Sequence, residues 1–237
     1  KTSTCYTTLA MILRNDRSAQ MPIFKINNKL ILFTHIPKCG GTSVETYFLE
    51  IGAKISFYDN KIYSIPEEKR WNKSSPQHID GASFQRLFSN DFFDHKFIIC
   101  RHPLNRLKSA FGYHKFVEKT VDLGLTLEDF VQNNLLGAAT EIGKLDHHFK
   151  PQHTFLSSGW TYDLFKFETG MTKVKQYIDM CALSAPSPMS MPHSMKAKTT
   201  IKKVSESYLS KKSVELVQEI YSKGFELFGY QRERSPS

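Results

Sequence analysis

Two short apolar runs constrain this chain most. Each is broken by a polar turn and followed at once by a helical stretch: "KLILFTHIPKCGGTS" over 29–43 and "HKFIICRHPLNRLKSAF" over 95–111. A continuous apolar run of this length suits a strand covered on both faces, as in a parallel sheet. Two strand–turn–helix units therefore predict an α/β chain, with a central, mainly parallel sheet flanked by helices. "YDLFKFE" (162–168) supplies a third strand. Helices are expected over 42–52, capped by Thr42 or Ser43 and ended by Gly52, and over 81–88, 104–119, 126–136, 169–181 and 205–230. Residues 53–76 carry turn signals, and 182–200, with three prolines, read as a loop. There is no internal repeat. The whole chain, 1–237, reads as one domain with a polar lead-in over 1–20 and a flexible tail over 231–237.

The turns carry the chemistry. In "HIPKCGGTS" the glycine pair Gly40–Gly41 lets backbone N–H groups approach an anion. The helix that follows adds free N–H groups and the positive end of its dipole. Lys38 contributes a point charge, and Thr42 and Ser43 contribute hydroxyl donors. The lysine precedes the glycines, so the order GxxxxGK[ST] of the triphosphate loop is absent. In the second unit Arg101 leaves the strand end, and Arg106 and Ser109 share a helix face. Ligands of open α/β sheets sit at the carboxyl ends of strands. Arg101 and Ser109 thus form a second anion grip, while Arg106 suits either a ligand contact or a structural ion pair.

The formal charge of +9 and the pI of about 9.3 favour an anionic partner. The candidates are nucleic acid, anionic lipid, a phosphorylated cofactor or an acidic glycan. Four cysteines, Cys5, Cys39, Cys100 and Cys181, form no CxxC pair and suggest unpaired thiols. No window reaches the roughly 18 consecutive apolar residues of a membrane span, and no signal peptide is legible.

Two anion grips on neighbouring strands suggest a nucleotide with phosphates at both ends. "HIPKCGGTS" together with "RHPLNRLKSAF" resembles the paired signatures of sulfotransferases that use 3′-phosphoadenosine 5′-phosphosulfate (PAPS). The form of the first motif looks most like the carbohydrate branch: heparan-type and chondroitin-type enzymes and bacterial relatives. "DHHFKPQHTFL" with "YDLFKFE" (146–168) and "FELFGY" (225–230) are similar to that branch's middle and closing segments. The resemblance extends patchily from Lys29 to Tyr230 and implies the P-loop-like nucleotide-binding sulfotransferase fold. It implies that Lys38, Gly40, Gly41, Thr42 and Ser43 hold the 5′-phosphosulfate, with Arg101 and Ser109 on the 3′-phosphate. Cys39 stands where the family usually has Thr, which removes a hydroxyl but keeps the backbone cradle. The loop "MPHSMKAKTT" (191–200) loosely resembles the segment that closes over the nucleotide, making Lys196 and Lys198 phosphate candidates.

Sulfuryl transfer to a hydroxyl wants a base. His78, in "SSPQHIDGASFQRLF" between the two grips, is the candidate, because the carbohydrate branch also carries a histidine ahead of a helix there. Lys38 is the candidate for neutralising the leaving phosphate oxygen. His35 beside the loop reads as structural or as a cofactor neighbour; Asp80 and Glu45 are possible supports. His147, His148 and His153 fit neither HExxH nor a zinc finger, so no metal is expected.

The expectation is a PAPS-dependent sulfotransferase that releases PAP, the desulfated nucleotide, and acts on a hydroxyl acceptor, a glycan by the resemblance. No nucleic-acid partner is expected. Two other classes stay open: an ATP-dependent P-loop phosphotransferase, and a non-catalytic basic module that binds polyanions. Free thiols favour bacterial cytoplasm, with the Golgi lumen as the alternative if an anchor precedes the chain.

Overall fold

In the computed structural model, residues 23–57, 59, 62–192, 204 and 207–232 are described. Five strands form one sheet in the order β3-β1-β2-β4-β5. They are β1 (Ile23–Ile26), β2 (Lys29–Thr34), β3 (Lys54–Ser56), β4 (His95–Cys100) and β5 (Asp163–Lys166). β2, β4 and β5 pair in parallel, whereas β1 is antiparallel to both β2 and β3. The sheet is thus mixed, and β1 alone runs against the other four strands.

The parallel centre follows from the two apolar runs. Ile31, Leu32, Phe33 and Thr34 are buried in β2, and Phe97, Ile98, Ile99 and Cys100 in β4. Their register sets Phe33 beside Phe97, with ring centres 4.9 Å apart. The β1–β2 hairpin was not foreseen. Its signal is Asn27–Asn28, both at positive φ, the turn chemistry that joins twisted antiparallel strands. β3 was not foreseen either, since three residues give too short a pattern to read.

Helix α1 (Gly41–Glu50) lays Val44, Tyr47 and Phe48 on one face of the sheet. Helix α6 (Thr172–Ala182) packs beside it through Val174 and Ile178, and the Tyr47 hydroxyl donates to Asp179 Oδ1 at 2.5 Å. Leu32 and Ile23 point to the opposite face and meet Ile79, Phe84 and Phe93. A second apolar cluster joins α3 (Pro103–Phe116) to α4 (Leu127–Asn133), α5 (Leu135–Thr140), α7 (Lys211–Ile220) and α8 (Ser222–Leu227).

Several helices depart from expectation. The 81–88 stretch is only one turn, α2 (Gly81–Phe84), capped by Asp80, which accepts from Ser83 N. The 126–136 helix starts behind its Thr126 cap as expected but breaks at Asn134 into α4 and α5. The closing helix begins after a Ser210 cap and is interrupted at Tyr221. α1 begins at Gly41, and neither Thr42 nor Ser43 caps it; Gly40 holds the cap position at φ 90°. The segment 1–20, most of the 231–237 tail, Cys5, Lys196 and Lys198 lie outside the described residues. Among the described residues, no helix is long and apolar enough to cross a membrane.

Candidate active site

The first loop leaves the carboxyl end of β2. Lys38 adopts φ 67° and Gly40 φ 90°, so the chain turns back and points α1 at its own loop. Gly40 also lies against Phe167, where an added Cβ would come within 3.1 Å of the ring. Gly41 is needed for another reason: a Cβ there would lie 2.1 Å from His35 Nε2. The imidazole occupies the space that glycine frees, and its Nδ1 pairs with Glu45 Oε1 at 2.7 Å beneath the loop. As the first two residues of α1, Gly41 and Thr42 have N–H groups outside the helical ladder. The Thr42 and Ser43 hydroxyls have no hydrogen-bond partner among the described residues. The Cys39 side chain points inward, with Sγ 3.5 Å from Gln152 Oε1. Burial pushes this thiol up to about 12, and the Cys39 N–H is spent inside the turn, donating to Ile36 O at 3.3 Å.

The second unit leaves β4 alongside. The Arg101 guanidinium donates to Lys38 O at 3.2 Å and lies 4.8 Å over the Phe167 ring. Gln152 fixes the strand end: its Oε1 accepts from Arg101 N at 2.9 Å and its Nε2 donates to Arg101 O at 2.7 Å. Arg106 is not a ligand group and has no ion-pair partner among the described residues. It is 2 % exposed and donates to the backbone carbonyls of Pro37, His148 and Lys150. It therefore bolts α3 to the first loop and to the 148–150 segment. Ser109, partly exposed on α3, makes no hydrogen bond among the described residues.

Lys38 Nζ sits 3.7 Å from the Tyr113 ring centre. Burial, reinforced by the positive charge of Arg101, lowers the Lys38 ammonium to about 8, against the opposing pull of Glu118. Burial also lowers Arg101. Neither cation has a carboxylate within ion-pair distance among the described residues. Two half-buried positive charges close enough to repel, with Glu118 and Glu168 acting only from beyond ion-pair distance, favour an anion that joins them.

His78 ends a short turn, Pro76–His78, and is buried. Its Nδ1 lies 2.7 Å from Asp146 Oδ2. Asp146 also accepts from Tyr63 Oη at 2.7 Å, Ser75 N at 2.8 Å and Ser75 Oγ. Burial by itself would raise this carboxyl, but the facing His78 ring and the Ser75 and Tyr63 donors hold it at about 2. An ionised Asp146 requires Nδ1–H on His78, which leaves Nε2 as the basic nitrogen of the neutral ring. Leu145, Asp146 and His147 all adopt positive φ, at 45°, 51° and 59°. Three consecutive non-glycine residues in the left-handed region cost roughly 1–2 kcal/mol each. The four donors on Asp146 and the bond of His147 Nδ1 to His78 O at 2.7 Å hold that strain in place.

Ring contacts tie this pair to the loop. The His78 ring is 5.0 Å from His35, which abuts Gly41, and 4.9 Å from His148. His148 in turn lies 5.4 Å from Tyr113, the ring under Lys38. The structure thus gathers Lys38, the glycine pair, Thr42, Ser43, Arg101 and His78 at the carboxyl ends of β2 and β4. A family model described as the sulfotransferase family matches residues 23–231.

The chain belongs to the sulfotransferase family. The match takes in both loops, His78 and the closing segment, and it assigns this sulfotransferase to sulfuryl transfer in general. No curated protein and no solved structure gives a significant match. Asp146, Tyr113 and Gln152 were missed by the sequence reading. Asp146 stood in "DHHFKPQH" beside histidines that drew the metal question, and its partner lies 68 positions away. Asp80, read as a support for the base, instead caps α2 and pairs with Lys150 at 3.3 Å.

Proposed function

We propose that this sulfotransferase moves a sulfuryl group from PAPS to a hydroxyl of a carbohydrate acceptor, with His78 as the base. The observation that carries the reading is the pair of half-buried cations, Lys38 and Arg101, at two neighbouring strand ends with no carboxylate within ion-pair distance among the described residues. Cations at two neighbouring strand ends suit a ligand with separate anionic ends. The fit extends to the free N–H groups of Gly41 and Thr42, with the unpartnered hydroxyls of Thr42, Ser43 and Ser109 as further donors. Bound PAPS supplies a sulfuryl group already activated on a phosphate leaving group.

In this reading the first loop, including the Gly40 backbone, binds the 5′ end. Arg101 and Ser109 hold the 3′-phosphate, the guanidinium supplying charge-assisted bonds. Lys38 Nζ neutralises negative charge as it gathers on the bridging oxygen. Asp146 is a positioning residue: it fixes the His78 tautomer so that Nε2 accepts the proton of the acceptor hydroxyl. Lys196 remains a candidate for the nucleotide's cover. The carbohydrate acceptor rests on the motif resemblance and on the net charge of +9, which suits an acidic glycan.

Calorimetric titration with PAP, beside ATP with magnesium, tests the reading. Metal-independent PAP binding, weakened at least about tenfold in Lys38→Ala, is the expected result. Preference for ATP with magnesium would replace it with phosphoryl transfer. Binding of polyanions with a steep salt dependence and no response to PAP would replace it with a non-catalytic basic module.

A further inference from the structure

The histidines around the proposed base form a denser cluster than base chemistry requires. His35, His78, His148 and His114 follow one another with ring centres 5.0, 4.9 and 4.7 Å apart. Within this row, His78, Asp146 and His148 each offer one ligand atom, and those atoms lie within 4.8 Å of one another. His148 is buried and its Nδ1 has no hydrogen-bond partner among the described residues. Backbone bonds hold the trio from outside: Arg106 donates to His148 O at 2.9 Å, and His147 Nδ1 bonds to His78 O.

We infer that His78, Asp146 and His148 form a binding site for a divalent transition metal of the zinc or cobalt type, occupied in competition with the proton on His78 Nδ1. Two imidazoles and a carboxylate are the donor set that borderline metals prefer, and oxygen-seeking magnesium does not. Metal–ligand bonds of about 2.0–2.2 Å place neighbouring donors roughly 3.3 Å apart in a tetrahedron. The His78–Asp146 contact of 2.7 Å must therefore open slightly, and the third donor must close in. Side-chain rotation of the His148 ring supplies that movement, since its Nδ1 breaks no hydrogen bond. Solvent completes the fourth position.

The proton balance is simple. His78 Nδ1 gives its proton to solvent and its lone pair to the metal, while Asp146 Oδ2 exchanges an N–H donor for the cation. In exchange Nε2 takes up a proton from solvent, so the ring stays neutral, its one proton sits on Nε2 and no net proton is released. A histidine in that state cannot accept a proton from a hydroxyl, so metal occupancy and base function exclude each other. The site stands on the geometry alone. Its consequence, reversible inhibition by zinc, rests on the proposal that His78 is the base.

The test uses the full, untagged chain titrated with Co²⁺ and followed by its visible ligand-field absorption, then by displacement with Zn²⁺. We expect one saturable site per chain with the intense band of a low-coordinate centre, and loss of the band on adding Zn²⁺. His148→Phe keeps the ring packing and removes both nitrogens; it should weaken Co²⁺ binding about tenfold or more, and Asp146→Asn should do likewise. PAP binding by His148→Phe should match wild type and shows that the variant is folded. Absence of a saturable band in wild type, or an unchanged titration in His148→Phe, overturns the site. Failure of wild type to bind PAP overturns the cofactor reading and leaves the metal result standing, so the two outcomes are distinguishable.

Discussion

The anion loop at 35–43 and the His78–Asp146 pair lie side by side, yet they are built by different means. The loop is local: a buried strand, two left-handed backbone positions and a helix start lie within ten residues, and Gly40 and Gly41 each have a specific steric reason. The pair is distant in sequence and rests on irregular turns. One turn, Leu145–His147, is strained and is held by side-chain bonds from Tyr63, Ser75 and His78. The loop therefore acts through backbone and fixed charge, and the pair through a hydrogen-bonded tautomer. Variants in the two regions should fail in different ways.

The largest expected effect is in the pair. Asp146→Asn should lower kcat by about 10²–10⁴ on an acceptor found by screening, because the amide no longer enforces the productive tautomer. PAP affinity should stay within about twofold of wild type. Nitrogen NMR of His78 should show Nδ1–H in wild type and a mixture in the variant. Equal losses of PAP binding and turnover would erase the distinction between the two regions.

A smaller effect is expected where the regions are bolted together. Arg106→Met strands the carbonyls of Pro37, His148 and Lys150 in the interior. The expected cost is about 2–4 kcal/mol of stability, read as a fall in Tm of roughly 5–15 °C. A Tm within about 1 °C of wild type would mean that water replaces the guanidinium, and that the two regions are less coupled than the bonds suggest.

The smallest effect belongs to Lys38. Burial, then Arg101, holds its ammonium at about 8, below the ordinary 10.5. Between those values the unfolded chain binds more protons than the folded one, so this group's contribution to stability rises with pH across the window. An anion at the loop reverses the shift. PAP binding at pH 8 should therefore take up as much as about half a proton, measured as a dependence of binding enthalpy on buffer ionisation heat. Lys38→Arg, charged throughout, should remove that uptake. An unchanged uptake in the variant would assign the proton to another group.

Much of the fold was legible because the signals were local. The runs "KLILF" and "HKFIIC" are long enough and apolar enough to require strands covered on both faces, and the glycine pair, the lysine and the strand-end arginine follow them directly. Thr126 was readable as a cap because a side chain three residues from the N–H that donates to it leaves a pattern in sequence. β3 and the breaks at Asn134 and Tyr221 were not, since they are settled by packing rather than by propensity.

Sequence alone thus determined the α/β class, the parallel centre and the anion loop, because each depends on groups a few residues apart whose geometry the backbone dictates. Tertiary structure decided that Arg106 is a brace, that the Cys39 thiol faces inward, and that Asp146 holds His78. Those outcomes depend on which groups lie close in space and how far water is excluded from them, and no spacing along the chain encodes either.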